Sequence, residues 1–425
     1  MRLPPLVKRF FPKTRQAGAS AVRGMGALAS RLYVYLSGFL AVFLMAAHVS
    51  PERFGEYSLY QSVLECALMV GTLGSAILFS RHASQVPAQV LRGDVVRTLL
   101  LGLPLASLLV CGLLLVQRLP LTTAPFVLIL LTLALLSFNI LLLAYRRGLG
   151  SAGLLNLESG IRSTILVAGI AGFILLAAEL TVAYLLLVNL LAVTVVGAAI
   201  SFGTRSLAPP PGRAVLDLRS QAHALLYSVL MFMLRKSDLL IVASFMPLSY
   251  VGAFKLAFLL AEAPSQFVQA YLYTKTSEML DGGAGKGTRS ALLLAKRSFM
   301  LGCALFVGLG VFLAVAAPLL HFTAQAQILL AYLAPYFLVR TYTVAHEMVL
   351  QLHTPVGSLG RWAFAEVLIK LALYAAIAVI DPARPHYVFL FACVSEFLIY
   401  EIRMRALWGF SPFARLIGLT RFVDR

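Results

Sequence analysis

The chain has 425 residues, of which 60% are apolar and only 12% charged, with a mean hydropathy of +0.89. A soluble globular domain is nearer half apolar and about one quarter charged, so this composition excludes a soluble enzyme or a nucleic-acid-binding domain. It predicts an all-α, polytopic membrane protein, because a barrel would show short alternating segments in place of continuous apolar runs. The net charge of +18 is then read from where it falls, since cytoplasmic loops of membrane proteins collect Lys and Arg.

A basic segment (1–24) precedes a first apolar run over 25–47, too long for the core of a cleaved signal peptide. Further spans are predicted over 57–79, 97–116, 125–145, 162–178, 181–203, 223–246, 252–273, 292–317, 327–350, 361–380 and 387–402. Only Arg53, Arg118, Lys255 and Arg384 fall on outer segments under this scheme. Arg31, Arg235, Lys236, Arg340 and Lys370 lie inside spans, and the rest of the 35 Lys and Arg lie on inner segments. That bias predicts an inner-membrane protein with both termini in the cytoplasm. The outer loops are short and leave no room for an extracytoplasmic catalytic domain.

A linker at 204–221, carrying Pro209, Pro210, Pro211 and Gly212, divides the spans into an N-lobe (25–203) and a C-lobe (222–402). A basic tail follows over 403–425. There Trp408, Phe410, Phe413 and Leu416 alternate with arginines, as in a helix lying on anionic lipid. Each half carries a hydrophobic-Gly-x-aromatic-x-Leu entry into its second span, Phe54 to Leu59 and Val251 to Leu256. A glutamate follows ten residues past each glycine, Glu65 and Glu262. Parallel repeats of this kind are a transporter signature, with the substrate site between the halves.

The stretch Leu225 to Met246 is long enough to span a bilayer yet holds Arg235, Lys236 and Asp238 near its middle. A charge at that depth costs about 2.5–3.5 kcal/mol on insertion scales, so these residues are expected to face a bundle interior or a watery cavity. Ser50-Pro51-Glu52-Arg53-Phe54-Gly55-Glu56-Tyr57, Asp238 and Val251-Gly252-Ala253-Phe254 together resemble the polysaccharide flippase branch of the multidrug/oligosaccharidyl-lipid/polysaccharide exporter superfamily. The resemblance implies two six-helix lobes around a central cavity. It also implies flipping of a polyprenyl-diphosphate-linked oligosaccharide from the cytoplasmic to the periplasmic leaflet, with membrane lipid around it and a polymerase or glycosyltransferases as neighbours.

Each buried charge has a functional and a structural reading. Arg235, Lys236, Arg340, Arg31 and Lys370 are the cavity cations expected to hold a diphosphate, for which Arg offers a bidentate fork. Against this, Arg235 can pair with Asp238 at i,i+3, Glu366 with Lys370 at i,i+4, and Arg31 can snorkel to the interface. Asp238, Glu65, Glu262, Glu347 and Glu366 are ion-pair partners or sites for H+ or Na+ coupling, and Glu347 lies two turns beyond Arg340. Glu396 and Glu401 read as interfacial.

Cys66, Cys111, Cys303 and Cys393 sit in apolar runs without metal-ligand spacing. GGAGKGT (Gly282 to Thr288) has Gly287 where a phosphate loop needs Ser or Thr, and His346-Glu347 has Leu350 where a zinc site needs its second His. No cofactor, metal or nucleic-acid partner is expected. An ion-coupled multidrug or small-solute antiporter is the alternative function; a membrane glycosyl- or acyltransferase would need an acid/base or nucleophile constellation that the loops lack.

Overall fold

A computed structural model describes residues 33–34, 36–76, 78–79, 88–119, 123–148, 152–176, 180–202, 218–274, 296–311, 324–353, 356–381 and 384–408. Thirteen helices are followed here: α1 (36–48), α2 (Pro51–Gly71), α3 (Ala88–Val116), α4 (Thr123–Gly148), α5 (Ala152–Leu175), α6 (Val182–Phe202), α7 (Leu218–Arg235), α8 (Asp238–Ala243), α9 (Leu248–Thr274), α10 (296–311), α11 (Ala324–His353), α12 (Val356–Ile380) and α13 (Val388–Trp408). The described part of each of the twelve expected spans is mainly helix, the seventh being divided into α7 and α8. The class is a polytopic, all-helical membrane protein.

Several boundaries move, for local reasons. The second span begins at Pro51, not near residue 57: Ser50 is extended and its hydroxyl caps the Arg53 amide, while Pro51 starts the first turn where a missing N–H costs nothing. The same helix stops at Gly71. Leu73 donates to the Val70 carbonyl and Gly74 to that of Met69, a Schellman closure that places Leu73 at φ 46°. Helix α3 ends the same way, with Arg118 at φ 52°. Helix α7 starts at Leu218, inside the expected linker, and α13 runs on to Trp408, so the expected tail begins as helix.

Helices α3, α4, α6, α9 and α12 contain stretches long and apolar enough to cross a membrane by length and composition. Leu100, Leu108, Leu175 and Val379 are 71%, 70%, 86% and 85% exposed, an outward apolar face suited to lipid. Inside, lipid tails remove most of the hydrophobic drive between helices, so close packing and interhelical hydrogen bonds hold the bundle. Asn139 of α4 donates to the Val193 carbonyl of α6 at 3.0 Å.

In the N-lobe α2 packs on α3, α4 and α6. In the C-lobe α9 packs on α11, α7 on α12, and both α11 and α12 on α13. The lobes meet where α2 lies along α9, and the repeated glycines make that contact. A Cβ on Gly55 would sit 2.1 Å from the Leu248 carbonyl oxygen, and one on Gly252 would sit 2.3 Å from that of Pro51. Two backbones thus touch with no side chain between them, one glycine from each half. Along the flank, Gln117, just past α3, donates to the Leu240 carbonyl at 3.0 Å and Gln221 of α7 donates to Thr98 Oγ1 at 3.1 Å.

At the junction between α12 and α13, buried His386 shares a 2.8 Å hydrogen bond with Tyr250 of α9 and lies against the rings of Tyr332 and Tyr387. Burial, together with the nearby Arg384 guanidinium, holds its imidazole below the ordinary 6.5, with Asp381 opposing weakly.

Two outcomes follow from these contacts. Gly252→Ala forces α2 and α9 apart by about 1–1.5 Å at their first turns, the gap a carbon–oxygen contact requires. Spin labels on Glu52 and Ser249 should report a longer or broader distance distribution, and an unchanged one contradicts the close-contact reading. For His386 the folded state favours the neutral ring, so its stabilisation is complete above pH 6.5 and declines as pH falls below that value. Wild-type melting temperature should therefore drop more steeply than that of His386→Gln between pH 6.5 and 5; parallel curves would show that His386 is not the titrating group.

Candidate functional site

The site is built on the interruption between α7 and α8. The run Arg235-Lys236-Ser237-Asp238 ends one helix and starts another, so carbonyls in the last turn of α7 need partners from elsewhere. Ser237 Oγ donates to the Met233 carbonyl at 2.5 Å. The Lys370 ammonium, arriving from α12, donates to the Leu234 carbonyl at 2.5 Å and reaches that of Met233 at 3.4 Å. It also grips both oxygens of Asp238, at 2.8 and 2.9 Å, and the Tyr374 hydroxyl donates to the same carboxylate at 2.7 Å. Lys370 and Asp238 are 8% and 1% exposed.

Two sequence expectations are corrected here. Asp238 is committed to Lys370 and Tyr374, not to Arg235 one turn away. Glu366 takes Arg403 Nη1 at 3.2 Å, so the pair expected within α12 gives way to two pairs between helices. Interhelical partners win because both side chains leave α12 toward polar groups on α7, α8 and α13, whereas an i,i+4 pair would keep them along the α12 surface.

Lys236 points the other way. Its Nζ meets Glu65 Oε2 of α2 at 2.7 Å, joining the C-lobe to the N-lobe. The two side chains are 48% and 36% exposed although protein surrounds both. The pair is thus partly accessible, and it lies about 15 Å along α2 from the Gly55 contact. Lys255 and Glu262 of α9, Arg162 of α5 and Arg340 of α11 lie within electrostatic reach of this pair. Glu262 accepts from Gln266 Nε2 at 2.6 Å, and Arg162 donates to Asn189 Oδ1 at 3.0 Å. Lys255, Arg162 and Arg340 thus add positive charge within reach of the Lys236–Glu65 pair, with Glu262 opposing them.

A small pocket of about 50 Å³ adjoins the helix break within the C-lobe. Arg235, Arg340, Tyr336, Glu366, Lys370 and Glu396 are among its lining residues. Arg340 is only 8% exposed and packs over the Phe337 ring at 5.7 Å. Glu396, placed by sequence at the interface, lies here and accepts the Tyr336 hydroxyl.

The structure thus brings Lys236, Glu65 and Glu262 into one electrostatic group. Arg235, Arg340, Lys370 and Glu366 line the pocket beside the helix break. Arg31 and the side chain of Glu347 lie outside the described residues. Sequence reasoning missed Lys255 and Arg162, which it counted as loop charges. Both fall inside the expected spans, Lys255 in 252–273 and Arg162 in 162–178, so the span limits themselves were the available signal.

No family model matches the chain, and no curated protein matches it in sequence. Solved structures do. An inward-facing multidrug resistance MATE family transporter of the MOP superfamily matches with a TM-score of 0.60 at 15% identity, over 90% of this chain and 99% of that one. The outward-facing form of such a transporter gives 0.59 at 15% identity, over 92% and 97%. A MOP superfamily transporter from Pyrococcus furiosus, described as having a binding pocket of reverse polarity that suggests a different function, gives 0.57 at 14% identity over 93% and 97%. At these identities the likeness is one of fold, and the chain has the fold of the MOP superfamily transporters across nearly its whole length.

Proposed function

We propose that this protein is a flippase that carries a polyprenyl-diphosphate-linked oligosaccharide from the cytoplasmic to the periplasmic leaflet by alternating access. The observation that supports it most is the gathering of Lys255, Arg162 and Arg340 within electrostatic reach of the Lys236–Glu65 pair, which joins α7–α8 to α2. A diphosphate entering a low-dielectric space must exchange water for such groups, and a lipophilic cation would be repelled by them. The basic-residue bias puts the Gly55–Gly252 contact on the periplasmic side. The lobes are then joined above the chamber, in a conformation closed toward the periplasm. Cargo, H+ or Na+ switches the lobes if the two conformations differ by only a few kcal/mol. The glycan and diphosphate ride in the chamber while the polyprenyl tail stays in lipid, and glycosyltransferases or a polymerase act on either side of the step.

Related folds in inward-facing and outward-facing forms support the alternating-access part of the reading. The reverse-polarity pocket described for the Pyrococcus furiosus protein supports treating chamber charge as the determinant of cargo. An ion-coupled multidrug or small-solute antiporter is the second reading, favoured by the multidrug transporters of the same fold and by Glu65, Glu262 and Asp238 as titratable groups.

Single Lys236→Ala, Lys255→Ala, Arg235→Ala and Arg340→Ala variants, expressed in a strain lacking its own copy, should reach the membrane at normal levels. At least one chamber cation among Lys236, Lys255 and Arg340 should reduce surface glycan about tenfold or more, the effect of losing one charge-assisted phosphate contact. Full glycan export by all four, or cation-dependent drug efflux that survives in them, supports the antiporter instead.

A further inference from the structure

We propose that the Lys370 ammonium is a built-in cation, occupying an oxygen-lined site at the α7–α8 break that would otherwise take a sodium ion. Four oxygens surround Lys370 Nζ: the carbonyls of Met233 and Leu234 at 3.4 and 2.5 Å, and Asp238 Oδ1 and Oδ2 at 2.8 and 2.9 Å. Released carbonyls at the C-terminal end of a broken helix, joined by a carboxylate, are the donor set by which membrane proteins hold alkali cations. Hard cations want several such oxygens at once. Here a tethered ammonium meets them, and its three N–H groups are all directed at this set.

The surroundings fit a permanent charge better than an exchanging one. Lys370 and Asp238 are 8% and 1% exposed, and Tyr374 donates to Asp238 Oδ1 from α12 at 2.7 Å. The lysine and the tyrosine lie one turn apart on α12, so one helix supplies both the cation and the hydrogen bond that orients its counter-ion. Lys236, three residues from Leu234's neighbour Met233, faces the chamber and Glu65 instead. The two lysines at the break therefore divide the work, Lys370 closing the helix ends and Lys236 facing the passage. The C-lobe accordingly carries its cation covalently and needs none from solution, whatever the passenger is.

The test compares the melting temperature of purified full-length protein in NaCl, KCl and choline chloride at equal ionic strength, for wild type, Lys370→Ala, Lys370→Gln and the neutralised pair Lys370→Gln/Asp238→Asn. Wild type should melt at the same temperature in all three salts. At least one of the single variants should melt lower in choline and regain about 3 °C or more in sodium, as a ligand in excess over its dissociation constant does. The neutralised pair should show no salt preference. A sodium-selective rise in wild type that Asp238→Asn abolishes would overturn the proposal, because the site would then already be exchanging ions. So would single variants that show no preference for sodium over choline; and if neither single variant can be purified, a wild type indifferent to sodium supports the proposal while a sodium-responsive one overturns it.

Discussion

The ion pair between Lys236 and Glu65 is the contact on which the rest of the arrangement turns. It joins the two lobes at 2.7 Å, it sits at the break in the seventh span, and it is partly exposed. An ammonium in hydrocarbon is costly; an ammonium at a wet seam, opposite a carboxylate that moves with the other lobe, is tolerated and can change partner. Any anion entering the chamber competes with Glu65 for Lys236. Under the proposed flippase reading, binding and lobe movement are linked by the same charge, since a passenger that takes the lysine removes one of the ties holding the lobes together.

Two other ties frame that seam. The Gly55–Gly252 contact lets α2 and α9 approach until backbone meets backbone, and both glycines come from the repeated motif, so the symmetry of the chain is expressed as a contact about its own pseudo-axis. The Lys370–Asp238–Tyr374 cluster lies on the C-lobe side and holds the two ends of the broken helix together. One tie is steric, one is buried and ionic, and the third, among the described residues, is a partly exposed ion pair.

Much of this was legible in the sequence. The helices, the two halves, the paired glycines and the unusual charge density of Leu225 to Met246 all follow from apolar run length and repeat spacing, and the helices carry over to the structure. Partner assignment was not legible. Pairing Asp238 with Arg235 and Glu366 with Lys370 rested on helical spacing, but each charge is satisfied by a residue far away in the chain, Lys370, Lys236 and Arg403 among them. Spacing describes one helix; partner choice in a bundle is set by which helices touch, and nothing local encodes that. Lys255 and Arg162 were misread for a related reason: each falls in the first turn of an expected span, 252–273 and 162–178, and was counted with the adjoining loop. The tail fared likewise: Arg403 is buried on α13, extending a helix that apolarity alone had ended.

The most direct test of the central claim is a binding measurement on purified protein in nanodiscs, with a polyprenyl diphosphate and a lipophilic cation as competing ligands. The account predicts saturable binding of the diphosphate, weakening as salt is raised and reduced in Lys236→Ala, with the cation failing to compete. Preferential binding of the lipophilic cation, or diphosphate binding indifferent to Lys236, Lys255 and Arg340 alike, would contradict it.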